Sequence, residues 1–330
     1  MAKTSASEFQ QQYAALTRGV GFAPLAGRTI IQVTGSERVQ FLQSFTTNDV
    51  KRLQPGQGCE AFVTSSQGKT LGHVWIFCES KRHILDTTAG QAQTLIGHFD
   101  RYVISEDVTF ADKSDHYVDL LVVGAGAAAM LAKLTTQDAP HNLLDHGEFK
   151  IAGRQVTICR VDYAGPDCYF IQAANGDSQA VAEAIAEAGG VAYGHDVLES
   201  ARLETGFPLF GLDITSENLP QEINRDRQAI SFTKGCYLGQ ETVARIDAMG
   251  HVNRLLVGVQ FKGDEIPARD TELLAAGQKI GETTSVAWSP RLQAPLALAV
   301  VRRNNAKPGN ELETKYGQAV VVALPLAAVA

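Results

Sequence analysis

Cysteine is scarce in this sequence. The 330 residues hold five, Cys59, Cys78, Cys159, Cys168 and Cys236, an odd number with no Cys-x-x-Cys spacing. That pattern argues against a disulfide framework and a closed structural zinc site, and it predicts a reducing, cytoplasmic setting with no bound metal. Positive charge is also short, with 29 Lys and Arg against 36 Asp and Glu and a formal net charge of −7. Broad nucleic-acid binding by phosphate neutralisation is therefore not expected, although a local patch such as Arg225 to Arg227 stays open. No apolar run reaches the roughly 20 residues of a spanning helix. The run from Ala319 to Ala330 is short and broken by Pro325, and reads as a last strand packed on a barrel. Met1-Ala2-Lys3-Thr4-Ser5 leads into a polar, glutamine-rich stretch without the apolar core of a signal peptide. No membrane partner is expected.

What is present is an ordinary globular balance, 45% hydrophobic and 20% charged, over a length that suggests two or three domains. A helix around Phe9 to Thr17 is followed by a strand from Arg28 to Thr34. Gly35 and Ser36 then open a helix through Ser44, with Val39, Leu42 and Phe45 on its apolar face. Strands at Glu60 to Thr64 and Gly72 to Glu79 flank the polar turn Ser65-Ser66-Gln67-Gly68-Lys69. A strand near Ile84 to Thr87, a helix from Gln91 to Val103 and a strand at Val108 to Ala111 complete a first α+β module.

Tyr117 to Val123 followed by Gly124-x-Gly126-x-x-Ala129, with Asp145 about twenty residues on, resembles a dinucleotide-binding fingerprint in outline. A gapless shift of 89 positions argues against it, because residues 31–49 then superpose on 120–138. Val33 meets Val122, Gly35 meets Gly124, and Thr46, Thr47 and Asp49 meet Thr135, Thr136 and Asp138. The glycine serves a strand-to-helix turn that occurs twice, and the first copy places Glu37 where a pyrophosphate would need room. The second copy continues with strands near Lys150 to Ile151, Gln155 to Val161 and Cys168 to Ala173, and a helix from Asp177 to Ala188. Asp196 caps a further helix through Glu204. From Val252 onward the pattern is all strand: Leu255 to Phe261, Lys279 to Val286, Leu296 to Val301, Glu311 to Thr314 and Val320 to Leu324, with glycine turns as in a small barrel. The fold class expected is α+β: two duplicated ferredoxin-like modules and a C-terminal β-barrel.

The densest chemistry lies in Lys234-Gly235-Cys236-Tyr237-Leu238-Gly239-Gln240-Glu241. Ile230 to Phe232 alternates like a short strand, and Gln240 to Ala248 reads as a helix stopped by Gly250. Cys236 then sits on a tight turn ahead of a helix N-terminus, two residues from Lys234. A helix dipole and an ammonium both stabilise a thiolate. The alternative is a buried structural cysteine in a glycine turn.

With Val243-Ala244-Arg245, this octapeptide resembles the signature of the YgfZ-type folate-binding proteins, relatives of the glycine cleavage T-protein that support iron–sulfur enzymes. Arg202-Leu203-Glu204-Thr205-Gly206-Phe207-Pro208-Leu209-Phe210-Gly211 is similar to the T-protein stretch whose glutamate bonds the folate pterin, with Glu204 at that place. Gly281-Glu282-Thr283-Thr284-Ser285, Ser289-Pro290 and Leu296-Ala297-Leu298-Ala299 resemble the T-protein barrel. The likeness spans most of the chain and is strongest from Asp196 to Val301.

The resemblance implies three domains in a ring around a folate pocket, here 1–115, 116–250 and 251–330, and a monomer. It implies that Cys236 and Lys234 carry chemistry, with the lysine activating the thiol. Glu204, Tyr237, Gly239, Gln240, Glu241, Arg245 and Arg225 would bind tetrahydrofolate or a derivative. Phe207, Phe210 and Tyr237 would offer stacking surface or, equally, core; Arg225, Arg245 or Arg254 would meet the glutamate tail, unless Arg254 is a strand-end surface residue. The reading it favours is folate-dependent support of iron–sulfur client or assembly proteins through Cys236, which as a single thiolate cannot hold a cluster. The alternatives are aminomethyl transfer to tetrahydrofolate, as in T-proteins, and a non-catalytic folate binder. T-proteins place a catalytic aspartate after the first-module hairpin; here Gly68-Lys69-Thr70-Leu71-Gly72-His73 has no carboxylate before Glu79, and His73 takes the approximate place.

Overall fold

The repeat visible in the sequence is the plan of the first two-thirds of the molecule. The computed structural model describes residues 5–25 and 27–327; Met1 to Thr4 and Ala328 to Ala330, the outer ends of the two terminal stretches read above, lie outside the described residues. The chain opens with α1 (Ala6–Arg18) and β1 (Gly21–Leu25). The first module follows: β2 (Thr29–Thr34), α2 (Arg38–Phe45), β3 (Gly58–Thr64), β4 (Thr70–Cys78), β5 (His83–Thr87), α3 (Ala92–Asp100) and β6 (Thr109–Asp112). The second repeats it: β7 (Tyr117–Val123), α4 (Ala127–Thr135), β8 (His146–Ile151), β9 (Arg154–Val161), β10 (Cys168–Ala174), α5 (Ser178–Glu187) and β11 (Val191–Ala192).

The first sheet runs β3-β4-β5-β2-β6 and the second β8-β9-β10-β7-β1-β11, so the strands correspond in order. The difference is β1, which comes from the start of the chain and inserts beside β7. Residues ahead of the first module thus complete the second sheet. A boundary drawn at residue 115 separates the repeats but not the sheets.

The central strands of each sheet are buried on both faces, which is why they read as apolar runs. In β4, Val74 and Ile76 pack on α2 and α3, whereas Trp75 and Phe77 point the other way. In β7, Leu120 and Val122 meet α4 and α5, whereas Leu121 and Val123 join Trp75 and Phe77. The two sheets therefore face each other across a shared core, closed at one side by α1 and by α6 (His195–Thr205).

The twin turn glycines have the same cause. Gly35 and Gly124 have φ of +103° and +131°, and a Cβ on them would overlap Asp107 O and Gly19 O respectively. Gly126 N–H donates to the same Gly19 carbonyl at 3.0 Å. The space a pyrophosphate would need is filled by backbone, so the glycine pattern at 124–126 is a packing device. Gly35→Ala and Gly124→Ala are each expected to cost more than about 1 kcal/mol, read as a lower urea midpoint.

After α6 come two short elements, a 3-10 turn at Pro220–Ile223 and α7 (Asp226–Ala229), then α8 (Gln240–Met249). Ile230 to Phe232 is not a strand. Ile230 ends α7 and is buried while Phe232 stands exposed, and Ser231 makes a backbone bond to Thr47 O at 2.9 Å. The barrel is closed, in the order β12 (Arg254–Phe261), β15 (Ala294–Arg302), β14 (Gln278–Ser289), β13 (Glu272–Ala275), β16 (Glu311–Thr314) and β17 (Gly317–Val322). Its interior is lined by alternate residues such as Val257, Val259 and Phe261. No helix among the described residues is long and apolar enough to cross a membrane.

Candidate functional site

The segment carrying Cys236 is a strap laid over the first module. Thr47 Oγ1 donates to Ala229 O at 2.6 Å, Leu238 N–H to Ser44 O at 2.9 Å, and Thr64 Oγ1 to Leu238 O at 2.5 Å. Gly239 has φ +82° and lies so close to the β3–β4 turn that a Cβ would overlap Ser65 O. Gln240 Oε1 accepts from Tyr237 N–H at 3.3 Å, folding the turn before α8. Between these anchors Gly235 and Cys236 are exposed. The other cysteines are free thiols too, three of them buried and Cys59 half-buried.

Lys234 does not face the thiol. Its ammonium turns inward and donates to the carbonyls of Gln43, Thr46 and Asn48 at 2.7, 2.6 and 2.7 Å, and lies 5.0 Å from the Tyr237 ring centroid. All three N–H donors are used, so the expected activation of Cys236 by this lysine is corrected. Burial pulls the Lys234 ammonium down to about 8, while the carbonyls favour the charged form. Tyr237 is likewise corrected as a stacking surface: it is core, packed with Phe62, Ile223 and Val243. Glu241 and Arg245 are exposed on α8, and the helix carries them on the same outer segment as Cys236 rather than in a pocket.

Arg225 is buried in a charged cluster. Its guanidinium bonds both Glu60 oxygens at 2.5 Å and Asp162 at 2.7 Å, and sits 4.9 Å from the Phe207 ring. Glu60 in turn holds His73 Nε2 at 2.8 Å. Burial raises the Glu60 carboxyl, but Arg225 and His73 outweigh it and hold it at about 2. His73, at the place where T-proteins have their aspartate, is thus stacked on Phe207 (5.4 Å between centroids) and tied to a carboxylate from the neighbouring strand. Arg225 thus commits its Nε and Nη2 to these carboxylates.

Glu204 is buried among partners of its own. Its Oε2 accepts from Tyr13 Oη at 2.5 Å and lies 3.3 Å from Arg291 Nε; its Oε1 accepts from Ser289 Oγ at 2.6 Å and Arg291 N–H at 3.2 Å. These bonds join α1, α6 and the barrel, and the cavity that borders Glu204 is small, about 110 Å³. A cavity of about 770 Å³ lies between the two sheets and α6, walled by Arg28, Tyr163, Tyr193, Leu198, Glu199 and Phe210. A second cavity of about 550 Å³ shares His195, Glu199 and Leu212 with it and ends at Phe9 and Trp288. Glu199 stands at the junction, its two oxygens held by Arg202 at 3.0 and 2.7 Å. Arg202 is fully buried and also bonds Asp213 at 2.9 Å, Phe207 O at 2.7 Å and Ser285 Oγ at 2.9 Å.

Sequence reasoning missed Glu199. It lies on the same predicted helix as Glu204, and the available signal was its i, i+3 spacing to Arg202. The space suits a flat heterocycle: two tyrosines and Phe210 give apolar walls, and a fixed carboxylate gives an acceptor for paired N–H groups. Among the described residues no group of three or more His, Cys, Asp or Glu could hold a metal ion.

Comparison with known proteins agrees with this architecture. The GCVT N-terminal domain model matches residues 3–234 and the glycine cleavage T-protein C-terminal barrel domain model matches 254–327. An aminomethyltransferase of Rippkaea orientalis is 26% identical over 334 residues, covering 97% of this chain and 89% of that protein. One of Thermus thermophilus is 28% identical over 316 residues, covering 95% and 88%. The crystal structure of glycine cleavage system aminomethyltransferase T from Bartonella henselae superposes with a TM-score of 0.87 at 22% identity, over 99% of this chain and 91% of that one. The chain belongs to the glycine cleavage T-protein family.

Proposed function

We propose that the protein binds tetrahydrofolate or a derivative in the cavity of about 770 Å³, with Glu199 accepting from the aminopyrimidine edge. The observation that carries this is the cavity itself: aromatic walls and one oriented carboxylate in the fold of a folate-dependent family. Bound folate supplies the one-carbon acceptor; the chain's own part is to hold the ring between Tyr163, Tyr193 and Phe210 and to keep water from it. The relatives favour aminomethyl transfer as the reaction. A titration of tetrahydrofolate followed by calorimetry tests the binding. Glu199→Gln is expected to weaken it about 10- to 100-fold, the worth of a hydrogen bond to a charged group. Glu204→Gln is expected to lower stability with little effect on affinity per folded molecule. Unaltered binding by Glu199→Gln would remove the assignment.

A second reading, a YgfZ-type protein that supports iron–sulfur enzymes, is favoured by the exposed Cys236 on its anchored strap and by the absence of a carboxylate at His73. In this reading Cys236 acts as one nucleophile or transient ligand for a client or assembly protein. The two readings separate in one pair of assays. Methylenetetrahydrofolate formed from an aminomethyl donor, unaffected by Cys236→Ala, supports transfer. Loss of iron–sulfur enzyme activity under oxidative stress on gene deletion, restored by wild type but not by Cys236→Ala, supports the thiol.

A further inference from the structure

The internal repeat supplies a control for Lys234. The cage that holds its ammonium is the end of α2, and shifting by 89 positions maps Gln43, Thr46 and Asn48 onto Ala132, Thr135 and Gln137 at the end of α4. Both threonines close their helix alike: Thr46 Oγ1 bonds Leu42 O at 2.7 Å and Thr135 Oγ1 bonds Leu131 O at 2.8 Å. In the second copy Thr135 Oγ1 also donates to Gln137 O at 2.9 Å, and among the described residues no lysine is bonded there. Whereas the first end continues through an extended Thr46 (φ −129°), the second turns through Thr136 in the left-handed region (φ 58°) and closes without an ammonium. The first copy differs in receiving one, from a residue 186 to 191 positions away.

We propose that Lys234 is a positioning residue: its ammonium, seated in the three-carbonyl cage at the end of α2, pins the strap so that Gly235 and Cys236 are held out as a fixed exposed bulge. The second anchor, Leu238, stands four residues on, at Ser44 O and Thr64 Oγ1. A cation at a helix C-terminus is stabilised by the helix dipole as well as by the carbonyls. Removing it leaves three inward carbonyls short of a donor and one end of the bulge loose. The proposal concerns the display of the thiol and rests on the second reading only for the use to which the thiol is put.

The test is chemical rescue. In Lys234→Ala, limited proteolysis between Phe232 and Leu238 is expected to run at least about tenfold faster than in wild type. n-Propylammonium, which restores the atoms removed, is expected to slow it again, whereas tetramethylammonium at equal ionic strength, having no N–H, is not. Unchanged proteolysis, or equal rescue by both ions, overturns the proposal. Should Lys234→Ala not fold, hydrogen exchange of the wild type serves instead. The charged and titratable groups facing Nζ are Asp49, Lys51, Cys59 and Tyr237. Burial pushes the Cys59 thiol up to about 12, so Lys234 loses its proton first as pH rises. Exchange at 235–238 is expected to accelerate above pH about 8 beyond the intrinsic rise seen at 135–138; parallel behaviour of the two segments overturns the proposal. Cys236→Ser keeps the cage, so a protected strap that still supports iron–sulfur enzymes would reject the thiol reading and leave the pin intact.

Discussion

Glu60→Ala is expected to lower stability by about 3–5 kcal/mol at pH 7, since it leaves Arg225 and His73 buried with their partner gone. Asp162 compensates only partly, because it holds one guanidinium nitrogen and its second oxygen has no partner. The effect has a definite pH signature. Glu60 is held at about 2 in the folded protein, below the ~4.3 of an exposed glutamate. A depressed carboxyl contributes stability that is fully present above the unfolded pKa and is lost as pH falls through the folded one. The gap between wild type and Glu60→Ala should therefore be wide at pH 7 and narrow steadily between pH about 4.3 and 2. Urea midpoints across that range measure it. A double change, Glu60→Leu with Arg225→Met, should cost less than the single one, because it removes the uncompensated charge as well. A single substitution costing under about 1 kcal/mol would mean that water reaches Arg225 as freely as a surface side chain.

This cluster also bears on the expected T-protein aspartate. Where a T-protein aspartate is expected, His73 is locked between Phe207 and Glu60. The carboxylate of the cluster belongs to the adjacent strand and is spent on Arg225. The chain has the fold of the glycine cleavage T-protein family while its first-module hairpin presents no free carboxylate, and the distinction between the two proposed readings turns on this position.

How far the molecule could be read beforehand follows from the range of the interactions concerned. Apolar runs marked the central strands β4, β5, β7 and β10, which are buried on both faces, and the shift of 89 revealed the duplication because α2 and α4 start from equivalent glycine turns. β1 escaped because Gly21 and Pro24 break its pattern. Pro24 is tolerated because β11 pairs only with Gly21 and Phe22, so the strand has a free edge by the time it reaches the proline. Lys234 and Glu204 are legible as polar residues in dense motifs, but their partners lie 186 to 191 residues away. Local spacing places Lys234 beside Cys236; the tertiary structure instead gives its charge to α2. Likewise, Glu199 and Glu204 lie on one helix, and only the packing of Tyr13 and Ser289 decides which of them is sealed and which faces the cavity.

The substitution expected to reach both stability and binding is Arg202→Met. Its guanidinium is the one cation between Asp213 and Glu199, and burial alone would drive it toward neutrality; the two carboxylates reverse that and raise its pKa. Asp213 remains supported by Leu209 N–H at 3.0 Å and by Thr284 and Ser285 hydroxyls at 2.6 Å, yet it keeps a buried charge with no ion-pair partner among the described residues. A loss of about 3–5 kcal/mol follows. Glu199 at the same time loses the fork that orients it, and a carboxylate free to rotate gives up the pre-organisation on which recognition depends. Tetrahydrofolate affinity should fall at temperatures where the variant is still folded, and Arg202→Lys, which keeps the charge but not the planar fork, should recover more stability than affinity. Equal recovery of both would show that Arg202 acts on the cavity only through global stability, and that Glu199 is aimed by its helix alone.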